Sequence, residues 1–371
     1  MEKPSAKIIG IKTALPKYKY QQSELAKWMH LRHDPTDERL KRSLSVLYKK
    51  SKIINRYSVL PDFNPDAKSP LLFQNGKSEP RVEKRMEVYQ KEALPLAKKS
   101  AEQSLADVPF PREEITHLIA VSCTGMSAPG LEVHLKSALK LKPEVACFAV
   151  NFIGCYATFP ALKMAEAFCK ADPEAKVLLV SVELCTIHFQ NKVNENHLLS
   201  NALFADGAAS CIVCSETAGR QAGFLIRQFH HTLLPSGSDD MAWDIHSDGF
   251  MMKLTSYIPD LVDQGIPKLL QKIEKESKIN VSEIEHWAIH PGGNSILDKC
   301  KATLKLSEDA LKPSYETMKE YGNLSAPTIL FVLKNLLESS NSRNDQLCFA
   351  LGFGPGLTLD GALLKLDGKN V

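Results

Sequence analysis

Two periodicities alternate along this chain, and that alternation limits its fold more than any other feature. Residues 117–122, 176–182, 209–214, 285–290 and 346–351 are short apolar runs of strand length and composition. Between them, residues 92–107, 158–171, 259–277 and 326–339 carry apolar side chains three and four apart, the spacing of one helix face. Strands that are apolar nearly throughout are buried on both faces, so helices must cover the sheet. The pattern predicts an α/β fold. With 371 residues the chain exceeds one small domain and suggests two units, or one large core of two similar halves. No short repeat is visible, and the small polar stretch at 215–220 is the best midpoint, between halves that read as equally well packed.

Composition removes several classes. Apolar residues at 44% and charged residues at 24% suit a globular chain and not a disordered one. The balance of 46 basic against 43 acidic residues lacks the excess of a nucleic-acid binder. No run approaches a membrane span, and the first apolar run is interrupted by Gly10 and Lys12, unlike a signal peptide. Nine cysteines, an odd number spread from Cys123 to Cys348, read as reduced thiols in a cytoplasmic protein.

Four places hold candidate chemistry. In the first, an apolar approach ends in Gly154-Cys155 and turns into a helical pattern. A thiol there faces the helix N-terminus, whose free N–H groups and dipole favour the thiolate. Pro160 is awkward beyond a first turn, so either the helix starts late or its first turn is irregular. In the second, a strand ends in His290 and a Pro291-Gly292-Gly293 turn, leaving the imidazole at a sheet edge. His286 and His290 would need a helix to share a face, and the strand-like pattern sets zinc aside. In the third, Asn323 either supports the turn before a helix capped by Ser325, or donates its amide to an oxyanion. In the fourth, Gly352-Phe353-Gly354-Pro355-Gly356 opens no helix and no βαβ unit follows, so it reads as a rigid cavity wall and not a dinucleotide site. Cys211 and Cys214 read as two buried thiols of a strand. From Arg39 to Arg56 there are seven basic residues and no acidic one, either a solvated helix face or a landing strip for phosphates.

In this order, Gly154-Cys155, the 203–209 stretch Leu-Phe-Ala-Asp-Gly-Ala-Ala, Ile289-His290-Pro291-Gly292-Gly293, Tyr321-Gly322-Asn323-Leu324-Ser325 and the Gly352–Gly356 loop resemble the type III polyketide synthases, the chalcone synthase-like family, over nearly the whole chain. The resemblance implies a thiolase-like five-layer αβαβα fold of two pseudo-equivalent halves, 1–216 carrying the cysteine and 217–371 carrying the histidine and asparagine, and normally a homodimer. It implies that Cys155 accepts an acyl group from a CoA thioester, and that His290 and Asn323 stabilise the oxyanion left when malonyl-CoA loses carbon dioxide. His290 would also hold the thiolate as an ion pair. Repeated extension and ring closure would give an aromatic or pyrone product, with no cofactor beyond the CoA thioesters. Phe204 matches the gatekeeper phenylalanine, and the second gating aromatic falls on Met252, a softer side chain. Thr124, His188, Trp243, Ser325, Gly354 and Pro355 fall at cavity positions and Lys50 at the CoA tail, to which the basic run adds Arg42 and Lys49. The shorter 123–130 loop and this pocket resemble bacterial members more than plant ones.

Two other readings compete. A β-ketoacyl-carrier-protein synthase of the third class uses the same three residue types on this fold, and is separated by its need for a carrier protein. A catalytically silent partner subunit is disfavoured by the presence of all three reactive residues.

Overall fold

The computed structural model describes residues 5–33, 36–64, 67–74, 78–219, 221–237, 240–255, 257–339 and 343–368. Arg220, at the end of the predicted midpoint stretch, lies outside them. The first part of the chain runs β1 (Ala6–Ala14), β2 (Tyr18–Gln21), α1 (Gln22–His33), α2 (Glu38–Lys50), β3 (Asn55–Ser58), α3 (Val82–Ala106), β4 (His117–Ser122), α4 (Leu131–Ala138), β5 (Ala146–Asn151), α5 (Thr158–Ala171), β6 (Lys176–Leu184), α6 (Glu195–Leu203) and β7 (Asp206–Ser215). The second part runs β8 (Gly223–Leu233), β9 (Met241–His246), β10 (Gly249–Leu254), α7 (Ile258–Ser277), β11 (Ile284–Ile289), α8 (Asn294–Thr303), α9 (Lys312–Tyr321), α10 (Thr328–Glu338), β12 (Leu347–Gly354) and β13 (Thr358–Asp367).

Strand pairing shows two halves built alike. In the first, β1 pairs antiparallel with β7, β7 antiparallel with β6, and β6 parallel with β4. In the second, β8 pairs antiparallel with β13, β13 antiparallel with β12, and β12 parallel with β11. A short β1–β8 pairing joins them in the order β11-β12-β13-β8-β1-β7-β6-β4-β5. The junction is tied down, because the buried Lys7 ammonium donates to the Gly219 carbonyl at 2.8 Å and pairs with Asp367.

Helices complete five layers. α3 covers β1, β6 and β7 on one outside, and α7 covers β8 and β13 on the other. α5 and α10 lie between the sheet halves. That position explains α10, where Thr328, Ile329, Leu330, Phe331, Val332, Leu333 and Leu336 are all buried: a helix sandwiched by sheets has no polar face. β6 and β7 are buried at every residue, which is why they read as apolar runs and not as alternating strands.

The sequence placed β4 and α5 at their observed bounds and α7 and α10 within two residues. The helix expected from residue 92 begins ten residues earlier, at Val82, with Pro95 accommodated inside it. The two inserts differ between the halves. Between β1 and α3 the first half carries β2, α1, α2 and β3; between β8 and α7 the second carries the β9–β10 hairpin, in which Met252 lies opposite Trp243.

Candidate active site

After β5 the chain turns through Phe152 and Gly154, both at positive φ (60° and 99°), before α5 begins at Thr158. Gly154 is needed twice over: its backbone is left-handed, and a Cβ would stand 2.3 Å from Cδ of Pro355. The late helix start puts Pro160 in the first turn, where its missing N–H leaves no gap. Cys155 lies in the turn ahead of the helix. The expected lowering of its pKa by the helix N-terminus is overturned. Burial pushes the thiol up to about 12, and the Ser325 hydroxyl and the Asn323 amide pull it back only in part, while the Glu183 carboxylate adds to the rise.

His290 sits just past β11, fixed through its backbone: its N–H donates to the Leu351 carbonyl at 2.7 Å, and its carbonyl accepts from Gly292 at 2.9 Å. The ring is 1% exposed, yet neither ring nitrogen has a hydrogen-bond partner among the described residues. Burial pulls its pKa down to about 3, so at neutral pH it is an uncharged imidazole. A buried ring with both nitrogens unpaired, at the wall of a cavity, keeps one donor and one acceptor that the described residues do not use.

Asn323 is oriented by two bonds. Its Oδ1 accepts the Ser325 N–H at 2.8 Å, and its Nδ2 donates to the Gly292 carbonyl at 3.2 Å. The amide's second N–H faces the Cys155 thiol, where it favours the thiolate. Ser325 is not the cap of α10, as the sequence suggested; Pro327 takes that place. Ser325 instead adopts φ 59° and donates its hydroxyl to the Cys155 sulfur at 3.5 Å. One chain of contacts therefore runs from Cys155 through Ser325 and Asn323 to the turn after His290.

Cys155, His290 and Asn323 line one cavity, together with Thr124, Phe204, Met252, His188, Trp243, Ser325 and Pro355. Gly354 does not line it, contrary to expectation. A Cβ there would stand 2.0 Å from the Tyr156 ring, so its smallness serves packing behind the wall. Phe204 is held from behind: the Asn323 N–H donates to Leu203 and the Ala205 N–H to Asn323, both at 2.9 Å, and buried Arg56 donates to the Phe204 carbonyl at 2.8 Å. His188 has no ring nitrogen to spare. Its Nε2 donates to the Thr124 carbonyl at 2.7 Å and its Nδ1 accepts from Phe250 N–H at 3.1 Å. Burial holds it uncharged, with its pKa down to about 3, and it stacks on Phe250 at 4.2 Å with Trp243 edge-on at 5.7 Å. It is a wall.

Several buried polar residues escaped the sequence. Glu183, inside β6, accepts from the Cys123 N–H at 3.0 Å and the Thr124 hydroxyl at 2.7 Å; burial lifts it to about 7. Asp206 accepts from Val59 and Thr186, drawing the 58–59 and 186 segments together under the cavity, and burial lifts it to about 6. Arg85 of α3, fully buried, donates to the carbonyls of Ile187 and Phe189 and fills the space against which Gly249 of the hairpin packs. A lone charge inside an otherwise apolar strand or buried helix face was the available signal.

The basic run divides. Arg42, Lys49 and Lys50 stand exposed on α2 and none lines the cavity, whereas Arg56 is buried and does line it. No group of three or more histidine, cysteine or carboxylate side chains able to hold a metal occurs among the described residues.

Comparison with known proteins adds to this geometry. Residues 1–217 match the model for the N-terminal domain of chalcone and stilbene synthases, and residues 226–366 match the model for the C-terminal domain. The α-pyrone synthesis polyketide synthase-like Pks18 of Mycobacterium tuberculosis is 28% identical across 97% of this chain and 91% of its own. Type III polyketide synthase A of Arabidopsis thaliana is 28% identical across 97% of this chain and 92% of its own. The crystal structure of PKS-I from the brown alga Ectocarpus siliculosus superposes with a TM-score of 0.92 at 26% identity, covering 99% of this chain and all of that one.

Proposed function

The chain belongs to the chalcone and stilbene synthases, the type III polyketide synthase family of condensing acyltransferases, and on that premise we propose that Cys155, His290 and Asn323 carry its reaction. The thiolase-like fold and the family's CoA-thioester chemistry frame the proposal; the roles of individual residues are its content. The supporting observation is that the cavity holding the Cys155 sulfur is lined by a His290 ring with neither nitrogen paired and by the Asn323 amide, which acts on that sulfur.

The steps follow from those groups. Cys155 Sγ attacks the carbonyl of an acyl-CoA; the new S–C bond replaces the C–S bond to CoA, which leaves as the thiol with the proton that Cys155 gave up. Alone, each buried group is neutral at pH 7, and the thiol ionises by handing its proton to His290, the two charges then stabilising each other in a site of low dielectric. Malonyl-CoA next loses carbon dioxide, and the electron pair of the broken C–C bond moves into the thioester enolate. The second N–H of Asn323 and an N–H of His290 stabilise that oxyanion. The carbanion attacks the Cys155-bound acyl carbon and expels the thiolate, lengthening the chain by two carbons. Decarboxylation itself supplies the carbanion, so the reaction calls on no cofactor besides its CoA thioesters.

Phe204 and Met252 act as the gate, with Thr124, Ser325, Pro355, His188 and Trp243 shaping the space in which an aromatic or pyrone ring closes. The Mycobacterium relative, named for α-pyrone synthesis, supports the pyrone alternative. Direct use of malonyl-CoA, not of a carrier-protein thioester, agrees with the family assignment. A homodimer is favoured by β5, which forms an unpaired sheet edge with Ala149 and Asn151 exposed, and by exposed Val133 of the adjoining α4. Nine free cysteines support a reducing, cytoplasmic setting, and no helix among the described residues is long and apolar enough to cross a membrane.

The test is to incubate the protein with malonyl-CoA and a panel of short, aromatic and long-chain acyl-CoA starters and analyse both products and enzyme by mass spectrometry. We expect extended, cyclised products and an acyl group on the peptide containing Cys155. Acylation at another residue, or products only with a malonyl carrier protein, would overturn the assignment.

A further inference from the structure

A second constellation of reactive side chains lies where α7 ends against β8, and none of its members lines the cavity that holds Cys155. His230 of β8 is 1% exposed. Its Nδ1 stands 3.1 Å from Oε2 of Glu276 and its Nε2 stands 3.0 Å from Oγ of Ser277, the last two residues of the helix. A carboxylate at Nδ1 keeps the proton of the uncharged ring on that nitrogen, which leaves Nε2 as an acceptor toward the serine hydroxyl. Burial lowers the pKa of the ring and Glu276 offsets part of the fall, so the ring is uncharged at neutral pH. Gln228 Oε1 lies 2.9 Å from the same hydroxyl. Two acceptors thus face one serine proton.

The serine opens onto a surface depression that the backbone shapes. In the β8–β13 ladder Ile226 pairs with Leu364 and Gln228 with Leu363, so Arg227 is an extra, bulged residue. Regular alternation would send neighbours 227 and 228 to opposite faces, but at the bulge both line the depression beside Ser277. Ile279, Leu347 and Leu363 give it an apolar surface. Lys365, on the same wall, is paired with Asp345 at 2.6 Å, whereas Arg227 is exposed and makes no ion pair among the described residues. A hydroxyl backed by a buried imidazole therefore shares one depression with an apolar patch and an unpaired guanidinium.

We propose that Ser277, His230 and Glu276 form a second nucleophilic site, which hydrolyses small acyl esters carrying an anionic group. Ser277 Oγ attacks the ester carbonyl while its proton passes to His230 Nε2. The new O–C bond replaces the C–O bond to the alcohol, which leaves with the proton from Nε2. Water then attacks the acyl-serine and gives one proton to Nε2; that proton returns to Ser277 Oγ as the carboxylic acid departs. Glu276 is a positioning residue: it holds the ring's tautomer and, with the C-terminal end of the α7 dipole, stabilises the imidazolium formed in each step. Arg227 draws the anionic group to the depression, and the apolar patch receives the acyl carbons.

The experiment uses the full chain carrying Cys155→Ala, so that the reactive thiol cannot contribute. A fluorophosphonate probe should label Ser277, as read from the mass of its peptide, and should not label it in heat-denatured protein. Labelling should fall at least about 10²-fold in His230→Gln, the lower end of general-base catalysis. Glu276→Ala should also slow it, and Glu276→Gln, which keeps an acceptor at Nδ1, should recover part of the rate. The kcat/KM for p-nitrophenyl hemisuccinate should exceed that for p-nitrophenyl butyrate by about fivefold, the most that one exposed ion pair supplies, and Arg227→Gln should bring the ratio to near one. Ser277→Ala, at a half-buried position, should abolish ester hydrolysis, and it keeps the test open should the His230 variant fail to fold. Absence of label on Ser277 in the folded chain, labelling unmoved by His230→Gln, or hydrolysis that survives Ser277→Ala would overturn the site. Equal kcat/KM for the two esters would overturn its substrate class.

Discussion

The two halves carry their reactive groups at matching points of matching topology, and load them with different chemistry. In the first half, β4 leads to the Cys123-Thr124 loop and α5 is entered through Cys155; in the second, β11 leads to His290 and α10 is entered through Asn323 and Ser325. Each helix entry bends through two left-handed residues, Phe152 and Gly154 in one, Gly322 and Ser325 in the other. Since α5 and α10 share the central layer, the entries meet. The first half contributes a sulfur; the second contributes an imidazole with neither nitrogen paired, an amide that acts on that sulfur and the hydroxyl that touches it. On the proposed roles, a duplicated scaffold brings a nucleophile and an oxyanion site together without either half holding both.

The largest effect should come from breaking that division. Cys155→Ala should abolish acyl loading and condensation while leaving release of carbon dioxide from malonyl-CoA, which needs only second-half donors. Asn323→Leu should do the reverse, still loading Cys155 but losing about 10²–10³-fold in decarboxylation, the usual worth of one oxyanion donor. Carbon dioxide release and the mass of the acylated protein separate the two. Equal loss of decarboxylation in both variants would dissolve the division of labour.

A smaller effect sharpens it through pH. Burial raises the Cys155 thiol to about 12 and lowers His290 to about 3, so each alone is neutral at pH 7, and the proposed mechanism forms the thiolate by proton transfer between the halves. Taking away the imidazole should leave the thiol at its raised value. Alkylation of Cys155 in His290→Gln by iodoacetamide should therefore be at least about tenfold slower at pH 7, as a rise of one pKa unit or more requires. Its rate should keep climbing in alkaline solution after the wild-type rate has levelled. Superimposable pH profiles would show that His290 does not ionise Cys155.

What could be read in advance divides along physical lines. The buried strands and sandwiched helices were legible because burial on both sides leaves an unbroken apolar run, as in β6, β7 and α10. Cys155, His290 and Asn323 stood out because each ends an element beside glycine or proline, where function gathers. Partnerships of buried polar groups were not legible. Glu183 bonds Cys123 and Thr124 sixty residues or so away, Arg85 reaches carbonyls about a hundred residues on, and neither spacing leaves a periodic trace. Ser325 misled for a local reason: serine before a helix usually caps it, but here Pro327 occupies the cap and the preceding backbone is left-handed. The thiol misled for an energetic one, desolvation outweighing a helix terminus that starts three residues later.

The smallest effect concerns the inserts, where the halves have no counterpart in each other. The first half's insert presents Arg42, Lys49 and Lys50 to solvent on α2, and the second half's presents Met252 and Trp243 to the cavity. If the first serves the CoA tail and the second the growing chain, they should fail differently. Lys50→Glu should raise KM for acyl-CoA and malonyl-CoA alike, by about two- to fivefold, because an exposed lysine–phosphate contact is worth at most about 1 kcal/mol. The effect should shrink as salt is added, since such a contact is screened, with kcat and product profile unchanged. Met252→Ala should instead alter chain length or starter preference with KM for malonyl-CoA near its original value. A Lys50→Glu protein with unaltered KM at low salt would return α2 to the role of a solvated helix face, and place recognition of the CoA tail elsewhere on the mouth of the cavity.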